Sequence, residues 1–442
     1  MICRTAVLIT GQKDGNWIVL ALVLYNKCMS ILDQLLEYPE RRRNLSVRLA
    51  PNAEKMVKKN HPWVFEGSII YQSHTGESGD LAVIFDKKRN FLALGLWDPY
   101  SPIRIRVLQF QKPAEINQEW FQHKIQKAIH LRAALIDQET NGYRIVHGEN
   151  DGLPGLVIDR YANILVMKLY TTAWIPHLEM ILACLQSLVP YESLILRMSR
   201  NIAGSSDSLH GLQDGMLLDG KNINEKILFS ENGLIFEVDP IHGHKTGFYL
   251  DQRENRARVE KLAEGKSVLN VFAYSGGFSL YAARGKANAV ISVDLNQHAL
   301  ETAIRNFSYN QNSVSIKACN HQVVNGDAFE FLESAARQHR KFDLVILDPP
   351  MFAQKKNQID KAILNYQRLT HLGLGVLNPG GILVQASCSS RISSPVFFEA
   401  VSKAVEKSGR KMNEIERSGH AIDHPIGFPE GEYLKCLFAQ IE

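Results

Sequence analysis

A chain of 442 residues, 45% of them hydrophobic, is long enough for two or three domains with separate cores. Lys and Arg outnumber Asp and Glu only 50 to 46, so overall charge names no partner, and no stretch reaches the ~18 apolar residues of a membrane helix. Six widely spaced cysteines (Cys3, Cys28, Cys184, Cys319, Cys388 and Cys436) without a C-x-x-C pair argue against structural zinc and a disulfide framework, and suit a reducing cytoplasm. The fifteen histidines make no H-E-x-x-H; His242-Gly-His244 reads as a loop, and no metal site is expected.

Residues 1–42 read as an extension. The apolar run at 17–25 is too short to span a membrane and has no clear cleavage site after it. It is either an extra strand or lies upstream of a true start at Met29, and the second reading is favoured. Residues 43–112 hold short strands at Val64-Phe65, 81–85, 91–96 and 103–107, with Asp86-Lys-Lys-Arg-Asn90 as a polar hairpin turn. Between Arg41 and Leu108 twelve Lys/Arg stand against six Asp/Glu, a basic segment suited to phosphate. Arg104 and Arg106 alternate with aliphatics, so they are expected on one exposed basic face, as the phosphate contacts of this module. His61-Pro-Trp63-Val-Phe65, Gly79-Asp80 and Leu94-Gly-Leu-Trp-Asp-Pro99 resemble the small β-barrel RNA-binding domain called PUA.

Residues 113–236 read as a central α+β domain. A helix over 120–135 is followed by the turn Asp151-Gly-Leu-Pro-Gly155, a hairpin of 156–158 and 164–169 around Tyr161-Ala-Asn163, and a helix over 176–188. Nothing in it carries evident chemistry, and substrate positioning is the expected role. A further hairpin, 227–230 with 234–238, turns on Asn232-Gly233.

From 237 to 442 strands at 268–273, 290–294, 322–324, 344–348 and 382–386 alternate with helical segments, which predicts an α/β, doubly wound, Rossmann-like sheet. The final strand, 433–439, follows a loop rather than a long helix, so it is expected to insert antiparallel. The first strand breaks at Tyr274-Ser-Gly-Gly277 and resumes as a helix, a place where a nucleotide-like cofactor can lie on bare backbone. Asp294 ends the second strand, where ribose hydroxyls would be held. The turn lacks G-x-G-x-x-G, which disfavours a nicotinamide cofactor. Asn325-Gly-Asp327-Ala328 follows the third strand and could read an adenine edge. Asp348-Pro-Pro350 forms a rigid lip after the fourth, and Cys388 lies just past the fifth. Taken alone, Cys388 reads more readily as a small buried residue.

Together these segments resemble class I S-adenosylmethionine-dependent methyltransferases, and more narrowly the ribosomal RNA large-subunit methyltransferase family with an N-terminal PUA domain, whose characterised activity makes 5-methylcytosine. The resemblance runs from about Leu45 to the C-terminus and rests on Lys245-Thr-Gly-Phe-Tyr-Leu-Asp-Gln-Arg253, Asp348-Pro-Pro350, Ala386-Ser-Cys-Ser389, Phe428-Pro-Glu430 and Tyr433-Leu-Lys435. It implies S-adenosylmethionine as cofactor, held by Tyr249, Asp251, Arg253, Asn270, Phe272, Ala273, Tyr274, Ser275, Gly276, Gly277, Phe278, Asp294, Asn325, Asp327, Ala328 and Asp348. It implies Cys388 as nucleophile at carbon-6 of a cytosine, in an electropositive pocket or beside a base, with Asp348 holding the ring near N3 and the amino group. The base must be single-stranded or flipped, the partner is ribosomal RNA, and a homodimer is left open. Met351 departs from the polar or basic residue expected after the double proline. Two alternatives remain open: a guanine-nitrogen methyltransferase of the same fold, which needs no cysteine, and a non-catalytic RNA-binding assembly factor.

Overall fold

The computed structural model describes residues 7–13, 16–22, 44–136, 139–203, 209–223, 226–353 and 355–442. Strands Val7–Lys13 and Asn16–Leu22 pair antiparallel as a separate ribbon, so part of the 17–25 run is a strand; Met29 lies outside the described residues.

The PUA-like part is a six-stranded sheet in the order Trp63–Phe65, Ile103–Phe110, Phe91–Trp97, Leu81–Phe85, Asn44–Leu49, Ile69–Gln72. Period-two burial turns Leu45, Val47, Leu49, Ala82, Ile84 and Val107 into one core. The Asp86 carboxylate accepts from the amides of Lys88 and Asn90 and closes the expected hairpin turn. The basic-face reading of the last strand is corrected here. Ile103–Phe110 is flanked by strands on both sides, and Arg104 and Arg106 are buried, only 9% and 5% exposed. The Arg104 guanidinium is bonded to Glu66 and to the Asp98 carbonyl, and that of Arg106 to the carbonyls of Ile103 and Tyr170. Guanidinium groups already bonded inside the protein are not available to phosphate.

The central part is a five-stranded sheet ordered Leu217–Gly220, Ser193–Met198, Ile164–Leu169, Leu156–Tyr161, Gly142–His147, whose Ser193–Met198 and Ile164–Leu169 run parallel. Helices Gln118–Leu131 and Leu178–Leu188 pack on it through Phe121, Ile125, Leu178 and Ile181. The predicted helix over 120–135 is interrupted at Arg132, whose buried guanidinium turns inward to the Asp151 carboxylate at 2.9 and 2.7 Å. The hairpin Ile227–Glu231 with Leu234–Val238 turns on Asn232 and Gly233, both at positive φ, which the Asn-Gly pair accommodates. Its Phe229 and Phe236 join Tyr161 of the central sheet to Tyr281 of the C-terminal part.

The C-terminal sheet has seven strands, numbered here in chain order: β1 (Ser267–Val271), β2 (Ala289–Asp294), β3 (Asn320–Asn325), β4 (Phe342–Leu347), β5 (Leu377–Ser387), β6 (Met412–Ser418) and β7 (Lys435–Ile441). Their spatial order is β3-β2-β1-β4-β5-β7-β6, with β1 to β5 parallel and β7 antiparallel between β5 and β6. Helices cover both faces. Val259, Phe278 and Ala282 meet Val268, Leu344 and Val384 on one side; Leu332, Tyr366 and Phe397 meet Leu269, Val345 and Leu383 on the other. The sheet is thus doubly wound, with the predicted antiparallel last strand. That strand begins two residues later than expected, and its edge neighbour β6 was not anticipated.

Candidate active site

The chain leaves β1 through Phe272-Ala-Tyr-Ser-Gly276, with Phe272, Tyr274 and Gly276 at φ of +63°, +47° and +76°. A side chain at Gly276 would begin 2.8 Å from Ala303 Cβ, and one at Gly277 3.0 Å from Arg256 Cδ, so packing keeps this turn bare as the helix Gly277–Arg284 starts. Asp294 ties the turn down: its carboxylate accepts from the amides of Tyr274 and Asn296, each at 2.8 Å. Asn270 donates to Ser279 Oγ at 2.9 Å, while Asn270 Oδ1 and Ser275 Oγ are buried without a partner. Unpaired buried polar atoms beside bare backbone and a carboxylate fit a cofactor that brings its own hydroxyls and amine. Asn325 donates to the carbonyls of Asp294 and Leu295, and Asp327 caps the helix Ala328–Arg337. Leu295, 73% exposed directly after Asp294, offers an apolar surface on the same rim. A solitary leucine behind a strand-end acid was the only sequence signal for it.

Beside this cradle the Lys245–Arg253 segment builds a charged cluster. Asp251 is 3% exposed; its Oδ2 accepts from Lys245 Nζ at 3.0 Å and the Tyr433 hydroxyl at 2.9 Å. Lys245 Nζ also lies 4.4 Å from the centre of the Tyr249 ring, and Tyr249 meets Tyr274 edge-on. Gln252 donates to Asp348 Oδ2 at 2.9 Å. Arg253 is turned elsewhere. Its guanidinium is 1% exposed and bonds the Asp423 carboxylate at 3.2 and 2.7 Å, which makes it a tie to the 419–434 loop and leaves its cofactor role without support.

Crowding by protein, reinforced by the Asp251 charge, pushes the Asp348 carboxyl up to about 7. Cys388 is half-buried just past β5, its Sγ 3.9 Å from the Pro349 carbonyl. Burial and then the Asp348 charge push its thiol up to about 11, against the opposing pull of Lys245. The expected electropositive pocket is therefore a mixed one, Asp348 and Asp251 against Lys245, and burial favours the protonated thiol. Of the other described cysteines, Cys184 and Cys436 are buried in other elements and Cys319 sits at the far end of β3. Cys3 and Cys28 fall outside the described residues. Among the described residues no group of three or more His, Cys, Asp or Glu is arranged to hold a metal, and no helix is long and apolar enough to cross a membrane.

Comparison with known proteins agrees with this geometry. Residues 214–431 match the family model of S-adenosylmethionine-dependent methyltransferases, and residues 47–110 match that of PUA-like domains. In overall shape the chain is similar to a methyltransferase crystallised with S-adenosylhomocysteine (TM-score 0.76, 23% identity, 90% of this chain and 99% of that one). It is 38% identical to ribosomal RNA large subunit methyltransferase I of Photobacterium profundum, over 88% of this chain and 98% of that protein. It is 46% identical to a ribosomal RNA large subunit methyltransferase of Deinococcus radiodurans, over 90% of this chain and 98% of the relative. On that similarity the chain belongs to the ribosomal RNA large-subunit methyltransferase family and is an S-adenosylmethionine-dependent methyltransferase.

Proposed function

We propose that this protein methylates carbon-5 of a cytosine in large-subunit (23S) ribosomal RNA through a covalent adduct on Cys388. The observation that carries the reading is the pairing of Cys388 with a protonatable Asp348 on the rim beside the glycine turn. Carbon-5 of cytosine is a poor nucleophile until a thiolate adds at carbon-6. The Cys388 thiol passes its proton to water and the sulfur bonds carbon-6, which moves the electrons of the 5,6 double bond toward N3. Asp348, a carboxylic acid below about pH 7, donates its proton to N3 and takes up the charge that would otherwise build on the ring. Carbon-5, now electron-rich, would bond the electrophilic methyl that S-adenosylmethionine supplies when bound, with the thioether as leaving group. Loss of the carbon-5 proton to a base then restores the ring double bond and breaks the carbon–sulfur bond, and N3 returns its proton to the Asp348 carboxylate. Asn270, Ser275, the 272–278 turn, Asp294, Asn325 and Asp327 hold the cofactor, with Tyr249 and Asp251 behind the reacting face. A single-stranded or flipped base is required, since neither carbon is reachable in a stack.

The raised Cys388 thiol favours one competitor, transfer to a guanine nitrogen, which needs no thiolate. Incubating the protein with unmodified 23S rRNA and methyl-labelled cofactor, then analysing nucleosides by mass spectrometry, separates the two. Label in 5-methylcytidine is expected; label in a methylguanosine would replace this reading with the competitor.

A further inference from the structure

Lys435 opens β7 directly across from Ser387, the residue before Cys388. Its side chain is buried, 2% exposed, yet among the described residues no carboxylate lies within ion-pairing distance of it. Instead Nζ donates to the Ser389 carbonyl at 2.6 Å and the Tyr433 carbonyl at 3.1 Å. Burying an ammonium without a counter-ion costs several kcal/mol, so a plain stabilising role is a poor explanation. The 2.6 Å bond is the shortest that Ser389 makes: its other contacts, to the Ala353 carbonyl, Ser387 Oγ and the amides of Arg391 and Ile392, are 3.3 to 3.4 Å. The second carbonyl belongs to Tyr433, whose hydroxyl reaches Asp251. One buried cation thus joins the turn that carries the thiol to the charged cluster behind it.

We infer that Lys435 is a positioning residue for Cys388: its ammonium fixes the turn through the Ser389 carbonyl and supplies positive charge that favours the thiolate. The inference rests on the cysteine-adduct reading above. Burial lowers the ammonium itself to about 8, while Glu432 and Cys388 pull it back toward the charged form, and His420 faces it from the loop before β7. Around the thiol stand Asp348, Asp251 and Lys245, with Tyr249 and Tyr366. Lys245 among them is already paired to Asp251, and Lys435 is the further cation coupled to the thiol.

The test uses the full-length protein and the variants Lys435→Met, Lys435→Gln and Lys435→Arg. The rate of Cys388 alkylation by iodoacetamide is followed against pH by peptide mass spectrometry, beside S-adenosylmethionine binding by calorimetry. At pH 7, where the Lys435 ammonium is charged, the alkylation rate is expected to fall about tenfold or more in the Met and Gln variants and to return toward wild type in Arg. Methyl transfer should fall roughly tenfold or more in kcat with cofactor affinity nearly unchanged. Should the Met variant fail to fold, Gln, which keeps a donor without charge, carries the test. A wild-type alkylation profile in a folded Gln or Met variant would overturn the role of Lys435. Full methyl transfer by Cys388→Ala would instead overturn the adduct reading, whatever the alkylation profile shows.

Discussion

At Asp348 two effects act in the same direction, since crowding by protein and the nearby Asp251 charge both favour the protonated carboxyl up to about pH 7. The folded state keeps a proton that the unfolded chain releases near pH 4. Its contribution to stability is therefore full below that lower value and is lost as pH rises through 7. Asp348→Asn should flatten this dependence, with a gain at pH 8 of at most about 4 kcal/mol and no gain at pH 4, read from denaturant unfolding. Activity should move the other way, falling by about two to four orders of magnitude with the proton donor gone. Cys388 adds a pH signature. Below about 7 the wild-type rate should climb with pH as thiolate forms. Above it, gain of thiolate is offset by loss of the Asp348 acid, so the profile levels off. In Asp348→Asn the rate should keep climbing; a plateau at the same pH in that variant would assign the break to another group.

The turn after β1 depends on its glycines as much as on its side chains. Gly276→Ala forces a side chain into left-handed backbone, which costs about 1–2 kcal/mol, and sets its Cβ against Ala303. A lower unfolding midpoint and at least roughly tenfold weaker cofactor binding are expected, and calorimetry showing wild-type affinity would remove the turn from the cofactor site. At this scale much of the fold was legible in the sequence. Four of the five parallel strands hold mostly apolar runs, Val268–Val271, Val290–Val293, Leu344–Leu347 and Ile382–Val384, and helical composition between them leaves little choice of topology. The sixth strand was not legible, because Met412-Asn-Glu-Ile-Glu-Arg-Ser418 lies at an open edge and buries almost nothing. Arg104 and Arg106 were misread for a different reason: alternation tells which residues share a face, not what covers it. Arg253 was read toward the cofactor and Lys435 only as part of a family motif, since their partners Asp423 and Ser389 are distant in sequence.

Across the whole molecule the 419–434 loop gathers the three parts. Asp423 is bonded both by Arg253 and by the amide of Arg144 in the central sheet, and Phe428 packs edge-on to Trp63 of the PUA-like part, ring centres 5.0 Å apart. Trp63 Nε1 also donates to Glu149 at 2.8 Å, and Tyr433 ends the loop at Asp251. The PUA-like part is thereby fixed to the same loop that completes the charged cluster. Trp63→Ala should weaken RNA binding about threefold to tenfold, the worth of one aromatic contact and its hydrogen bond, while S-adenosylmethionine affinity stays put; loss of cofactor binding instead would mean the loop itself had collapsed. The most direct test of the central chemistry is a trapping measurement on the intact protein. With 23S rRNA carrying 5-fluorocytosine and with S-adenosylmethionine present, the carbon-5 fluorine cannot leave as a proton does, so the adduct should persist through denaturing electrophoresis. Mass spectrometry should map it to Cys388. Methylation of ordinary rRNA with no adduct on the fluorinated RNA, or an adduct mapping to another residue, would contradict nucleophilic catalysis by Cys388.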